Sequence, residues 1–267
     1  MKYYIADAFS ETSPAGDVGF FSGNPAGICI LEEPLPEALM RNIASENNLA
    51  ETAFVVPRAD GDYGLRWFTP ATEIDLCGHA TLASAFVLHG MLGTNKKSYR
   101  FHTKSGLLIV TPKENDLYEM DFPAWPLEPI EVTERMRQAL DCDILEAHQA
   151  RDTILVLESE EAVRKLHPDF AAIAALPEAH GVSVTARGDS CDFVSRFFAP
   201  NMGINEDHVT GSVHSELIPF WAARLGKGLL TARQLSPRGG TLHCENLGAR
   251  VKISGRARLY LAGEIFV

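Results

Sequence analysis

Short runs of β-branched and aromatic residues, each bounded by turn residues, recur along the chain and read as strands. In the first half they are Tyr3–Phe9, Ala26–Leu31, Thr52–Pro57, Tyr99–Thr103, Leu107–Thr111 and Leu117–Phe122. In the second half they are Thr153–Leu157, Gly181–Thr185, Cys191–Phe198, Ala249–Ile253 and Ala257–Phe266. Lys104-Ser105-Gly106 and Ser254-Gly255 read as hairpin turns. Leu35–Asn48, Val132–Leu140 and Glu160–Leu166 read as surface helices. Two further runs, Leu82–Leu88 and Leu217–Ala223, lack a clean polar face. A helix apolar all round is a buried helix. Pro219 inside the second run predicts a kink or a later start.

The two buried helices belong to segments that echo each other. Arg66-Trp67-Phe68-Thr69-Pro70 precedes Cys77-Gly78-His79-Ala80-Thr81, then an apolar run ending at Gly90. Arg196-Phe197-Phe198-Ala199-Pro200 precedes Thr210-Gly211-Ser212-Val213-His214, then an apolar run ending at Gly226. Each reads as strand, loop, small-residue turn and buried helix, a repeated unit. Phe122–Pro129 carries three prolines in eight residues and reads as the connection between halves. The expected architecture is α+β: residues 1–122 and 123–267, each a curved sheet or barrel around one central helix. The C-terminal strand is allowed to pair back with the first half. A cleft between the halves would bring the two turns together.

Composition narrows the class. Of 267 residues, 46% are hydrophobic and 22% charged, as in a globular protein. The net charge of −11 and the lack of a Lys/Arg cluster argue against a nucleic-acid partner. Five widely spaced cysteines with no Cys-x-x-Cys argue against a disulfide framework or a zinc site. No stretch reaches membrane-spanning length, and the N-terminal residues do not form a leader. The expected location is cytoplasmic.

Candidate chemistry gathers at four places. Glu51 lies between Ala50 and an apolar strand, where burial suits a general acid or base; a loop carboxylate or cap is the alternative. Gly78-His79 opens the first buried helix, whose N-terminal amides suit a carboxylate or phosphate; His79 could equally be a cap or a core histidine. Cys77 could be a thiol base or a small buried hydrophobe. Asp207 precedes Thr210-Gly211-Ser212, which offers hydroxyl and backbone donors to an anion, or an ordinary cap. Gly23-Asn24-Pro25-Ala26-Gly27 reads as a tight turn entering a strand, with Asn24 a candidate substrate contact. Neither this turn nor Arg238-Gly239-Gly240 completes a phosphate loop or dinucleotide fingerprint. No metal-ligand cluster appears in the sequence.

Taken together these residues resemble the PhzF-like family. The likeness rests on Asp7-Ala8-Phe9, Gly23–Gly27, Ala50–Val55, Arg66–Pro70, Cys77–Ala83, Glu206-Asp207 and Thr210–Ser212. The resemblance implies a diaminopimelate epimerase-like fold, a homodimer, and a reaction without metal or other cofactor. It implies that Glu51 shifts a proton between two carbons of a small carboxylated, amino-bearing substrate. His79 and Asp207 would assist by orienting the amine and ring substituents. Thr210, Gly211, Ser212, Gly78 and Asn24 would bind the substrate, with Gly211 and Ser212 holding the carboxylate.

Two departures from the family pattern lie in the second half. Asp207-His208 stands where Asp-Pro is usual. Gln234-Leu235-Ser236-Pro237-Arg238-Gly239-Gly240 stands where Gln-Gly and Gly-Arg-Gly are usual. They preserve the proton-handling pair and lie near the expected substrate, so the phenazine substrate itself is not carried over from the resemblance. Two other readings compete. One is a one-base dehydratase or epimerase using Cys77; a symmetric two-thiol racemase does not fit, because the repeat places Thr210 at the second position. The other is a non-catalytic binding module on the same fold.

Overall fold

A computed structural model describes residues 1–11, 21–176 and 180–267. The chain divides into two compact units, Met1–Asp121 with Ser254–Val267, and Phe122–Ile253.

In the first unit, the strand Lys2–Ala8 pairs antiparallel with Asn24–Ile30 and with the C-terminal strand. Asn24–Ile30 runs parallel to Glu51–Pro57, which pairs antiparallel with Tyr63–Phe68. Tyr63–Phe68 runs beside Tyr99–Thr103, and the hairpin at Lys104-Ser105 leads to Gly106–Pro112. Helix α1, Glu37–Asn47, covers one face of this sheet. Its Met40, Ile43 and Ala44 pack with Cys29, Phe54 and Phe68. Helix α2, Gly78–Phe86, lies on the other face and is buried from Gly78 through Ala85. It touches Lys2–Ala8, Asn24–Ile30, Glu51–Pro57 and Gly106–Pro112, so the sheet curves around it.

The first strand ends at Ala8 because Phe9 turns into the left-handed region at φ 59°. Phe9 is fully buried, and its ring packs where a side chain at position 255 would sit: a Cβ on Gly255 would lie 2.3 Å from Phe9 Cδ1. This corrects one sequence expectation. Ser254-Gly255 is not a hairpin turn; Arg250–Glu264 is a single strand. Gly255 is present for close approach rather than for a bend.

In the second unit, Glu128–Ile130 pairs with Glu146–Gln149, which pairs with Thr153–Val156. Val182–Arg187 runs parallel to that strand and antiparallel to Phe193–Ala199. Phe193–Ala199 is flanked by Ile204–Asp207 and by Leu229–Gln234, and the last pairs with Gly240–Asn246. Three short helices, α3 (Glu134–Leu140), α4 (Glu160–Lys165) and α5 (Phe170–Ala174), bring Leu140, Val163 and Ile173 onto Leu155, Val184 and Phe198. Helix α6, Gly211–Leu225, is the buried helix of this unit.

Pro219 sits inside α6 without ending or delaying it. Its ring cannot donate to the carbonyl of Ser215. The Trp125 backbone N–H donates to that carbonyl instead, at 3.0 Å. The proline-rich segment is thereby fastened to the second unit, and Ala124 N–H donates to Ala249 C=O beside it.

The internal repeat has a structural counterpart. Arg66 donates two hydrogen bonds of 2.7 Å to Glu73, and its guanidinium lies 5.2 Å from the Phe68 ring centroid. Arg196 donates to Glu206 at 2.7 and 2.9 Å, with its guanidinium 5.2 Å from the Phe198 centroid. In each unit a forked arginine ties the strand to the segment just before the buried helix. Cys77 and Thr210 are the residues that precede the two helices, and neither makes a side-chain capping bond.

Candidate active site

Glu51 is placed by the end of α1. Asn48 turns left-handed at φ 50° and its N–H donates to Ala44 C=O, so the chain reverses and Glu51 begins its strand. Side chains alternate along a strand. Phe54 points to α1, which sends Glu51 to the α2 face. Ala26 pairs with Glu51 in register, and Asn24, two residues back, shares that face. Gly23, at φ 79°, lets the chain enter this strand; a Cβ there would lie 2.4 Å from Ala8 C=O.

His79 comes to the same place from the first turn of α2. Its Nε2 lies 3.0 Å from Glu51 Oε2. On the other side of the ring, the Asn24 amide nitrogen is 3.2 Å from Nδ1, and Cys77 Sγ is 3.5 Å from it. Glu51, Cys77 and His79 expose only 6%, 5% and 4% of their surface. With the amide so oriented, Asn24 donates to Nδ1 and leaves Nε2–H for Glu51. A doubly protonated ring needs the amide to present its oxygen instead.

Charge and burial oppose each other here. Burial disfavours an imidazolium, but the adjoining Cys77 and Glu51 side chains outweigh it and hold the His79 pKa well above its ordinary value. Burial also pushes the Cys77 thiol up, with the Glu51 charge adding to the effect.

In the second unit, Asp207 ends the strand Ile204–Asp207, and Thr210 Oγ1 donates to its Oδ2 at 2.6 Å. With its hydroxyl engaged there, Thr210 does not cap α6, and the helix opens on Gly211 and Ser212. First-turn amides without an N-cap side chain suit an anion. Sequence reading did not assign a role to the residue that holds this turn. Gln234, fully buried, accepts from Thr210 N–H at 2.8 Å and donates to Asp207 C=O at 2.8 Å and Thr210 Oγ1 at 3.1 Å. Its signal was a lone amide ending the run Leu230-Thr231-Ala232-Arg233-Gln234. The two departures from the family pattern also meet: Ser236 Oγ donates to His208 C=O at 2.8 Å and accepts from Gly239 N–H.

The donor atoms of Glu51, Cys77 and His79 lie within 4.8 Å of one another, close enough to share a cation. No helix among the described residues is long and apolar enough to cross a membrane.

The fold is α+β with diaminopimelate epimerase-like architecture, and it buries Glu51 and His79 as a close pair. The profile of the phenazine biosynthesis-like protein family, PhzC-PhzF, matches residues 7–263, and the chain belongs to that family, as an isomerase-type enzyme. An uncharacterized isomerase of Pseudomonas aeruginosa is 49% identical, over 99% of this chain and 98% of its own. The crystal structure of a PhzF family phenazine biosynthesis protein from Enterococcus faecalis is 50% identical, with a TM-score of 0.94 and coverage of 100% and 99%. A probable proline racemase from Agrobacterium radiobacter, 10% identical with a TM-score of 0.62 over 100% of this chain and 93% of its own, shares the fold.

Proposed function

We propose that the chain is a cofactor-independent isomerase in which Glu51 takes a proton from one carbon of a small carboxylated substrate and returns it to another. The observation that carries this reading is the buried contact between Glu51 and His79 at 3.0 Å. A general base works best when held in place and shielded from bulk water. His79 supplies positive charge beside the carboxylate, and Asn24 holds the ring from behind. The same side chain removes and returns the proton, so the reaction needs no net proton source.

The turn at Thr210, Gly211 and Ser212 is assigned the substrate carboxylate, and Asp207 an amino group. This divides the polar groups of an amino acid-like molecule between an anion-binding helix start and an acid. Cys77 supports the site by packing; its raised pKa argues against a thiolate base. His208 and Ser236 shape the second-unit loop and are the positions expected to set which substrate fits.

The experiment is incorporation of solvent deuterium into a panel of small amino and hydroxy acids. Exchange by the wild type that disappears in Glu51→Gln supports the assignment. Binding of such a ligand without exchange by the wild type favours the non-catalytic module.

A further inference from the structure

Glu51 and His79, with the Cys77 thiol packed beside them, are a set of donors for a thiophilic cation. Cys77 supplies sulfur, His79 nitrogen and Glu51 oxygen, all buried and all from one unit. His79 Nε2 is 3.0 Å from Glu51 Oε2 and 3.9 Å from Cys77 Sγ. A tetrahedral zinc ion has bonds of about 2.0–2.3 Å, which space its donor atoms by about 3.3–3.7 Å. The nitrogen–oxygen pair has to open slightly, and Cys77 Sγ, which lies nearer Nδ1 at 3.5 Å, has to swing toward the Nε2 edge of the ring. Three protein ligands with a fourth position open is the arrangement of a zinc site accessible to an exogenous group.

We propose that Glu51, Cys77 and His79 form an inhibitory zinc site, in which the bound ion replaces the protons that the catalytic cluster would otherwise exchange. A zinc–sulfur bond forms as the thiol proton leaves to solvent. A zinc–nitrogen bond forms as Nε2 gives up its proton, and the carboxylate contributes an existing lone pair. No oxidant or reductant takes part. Asn24 has a defined role: with zinc on Nε2, the proton lost there is replaced by one taken up on Nδ1, so the ring stays neutral, and the amide turns to accept it through oxygen. Thiolate and imidazole select zinc over magnesium or calcium. Binding itself is independent of the proton-transfer reading; inhibition rests on it.

The test uses the full chain after treatment with a chelator. Cobalt(II) is titrated as a spectroscopic stand-in, and zinc chloride is titrated by calorimetry. The expected result is a thiolate-to-cobalt absorption band that saturates at a single ion per chain and disappears in Cys77→Ser. Asn24→Ala is expected to weaken zinc binding by about 10- to 100-fold. Asp62→Asn, in the exposed Asp60–Asp62–His102 cluster, is expected to leave the band unchanged. A wild type with no thiolate band at saturating cobalt, or a band that survives Cys77→Ser, overturns the proposal. Deuterium exchange measured with and without zinc separates the two readings. Exchange that zinc does not slow, in a protein showing the band, overturns the inhibition. A band in a protein that never exchanges leaves the metal site standing and removes the proton-transfer reading.

Discussion

His79 Nε2 and Glu51 Oε2 lie 3.0 Å apart, at the start of a helix and the start of a strand, with both side chains buried. Breaking a buried ion pair by removing one partner leaves the other charge uncompensated, at a cost of about 3–5 kcal/mol. Removing both charges leaves neither. His79→Gln is therefore expected to lose about 3–5 kcal/mol in urea unfolding. Glu51→Gln combined with His79→Gln should recover most of that loss. Additive losses in the double variant would show that the two side chains are not coupled.

His214 gives the protein an acid limit. It is wholly buried in α6, and burial pushes its pKa down to about 4, partly offset by the hydrogen bond its Nδ1–H donates to Thr210 C=O at 2.7 Å. Unfolded, it titrates near about 6.5. Between those values the unfolded chain binds more protons at this group, so its contribution to stability rises with pH across the window and falls by about 3 kcal/mol on going from pH 6.5 to 4. His214→Gln is expected to remove this contribution, so that its stability relative to wild type rises as pH falls from 7 to 4. An unchanged slope would contradict the assignment.

Glu216 and Asp152 set the opposite trend. Both are buried, and Asp152 N–H donates to Glu216 Oε1 at 3.3 Å. Burial, and then the charge of Asp152, push Glu216 up to about 8; burial likewise raises Asp152, against the pull of Arg151 and His180. The folded chain holds more protons than the unfolded one between about 4.3 and 8. The contribution of this pair to stability therefore declines as pH rises through that window, by about 3–5 kcal/mol. Glu216→Gln with Asp152→Asn should remove the decline in thermal melts between pH 5 and 9.

Much of this molecule was legible from residue order. The repeat of Arg66–Pro70 in Arg196–Pro200 marked two strands that the structure equips with matching arginine–glutamate forks. The apolar runs after Gly78 and Gly211 marked the two buried helices. Position against an apolar strand left Glu51 open as a loop carboxylate or cap; the likeness of Ala50–Val55 to the family motif singled it out, and the structure buries it beside His79. What stayed hidden were contacts between distant segments. Nothing local tells that Gly255 faces the ring of Phe9 rather than making a turn. Nothing local tells that Trp125 takes the carbonyl freed by Pro219, or that Gln234 holds the turn at Thr210.

Gly255 tests the fold directly. Gly255→Ala places a Cβ 2.3 Å from the buried Phe9 ring. Overpacking of this kind costs about 1–3 kcal/mol. A lower Tm in Gly255→Ala, with a smaller drop in the companion Phe9→Leu/Gly255→Ala variant than the sum of the single changes, is the expected result. A hairpin at this position would tolerate alanine better and show no coupling to Phe9.

Gln234 tests the anion-binding turn. Gln234→Leu leaves Thr210 N–H and Asp207 C=O without their buried partner, at about 1–3 kcal/mol. Small carboxylates are expected to raise the Tm of the wild type, and that stabilisation should be lost in this variant. A full shift on ligand addition would mean that carboxylates bind elsewhere.

The most direct test of the central claim is deuterium exchange compared across three proteins. Wild type is expected to exchange a carbon-bound hydrogen of at least one small carboxylated amine with solvent. Glu51→Gln should slow that exchange by about 10²- to 10⁴-fold, while Cys77→Ala should retain most of it. Exchange that survives Glu51→Gln and is lost in Cys77→Ala would contradict the account and move the chemistry to the thiol.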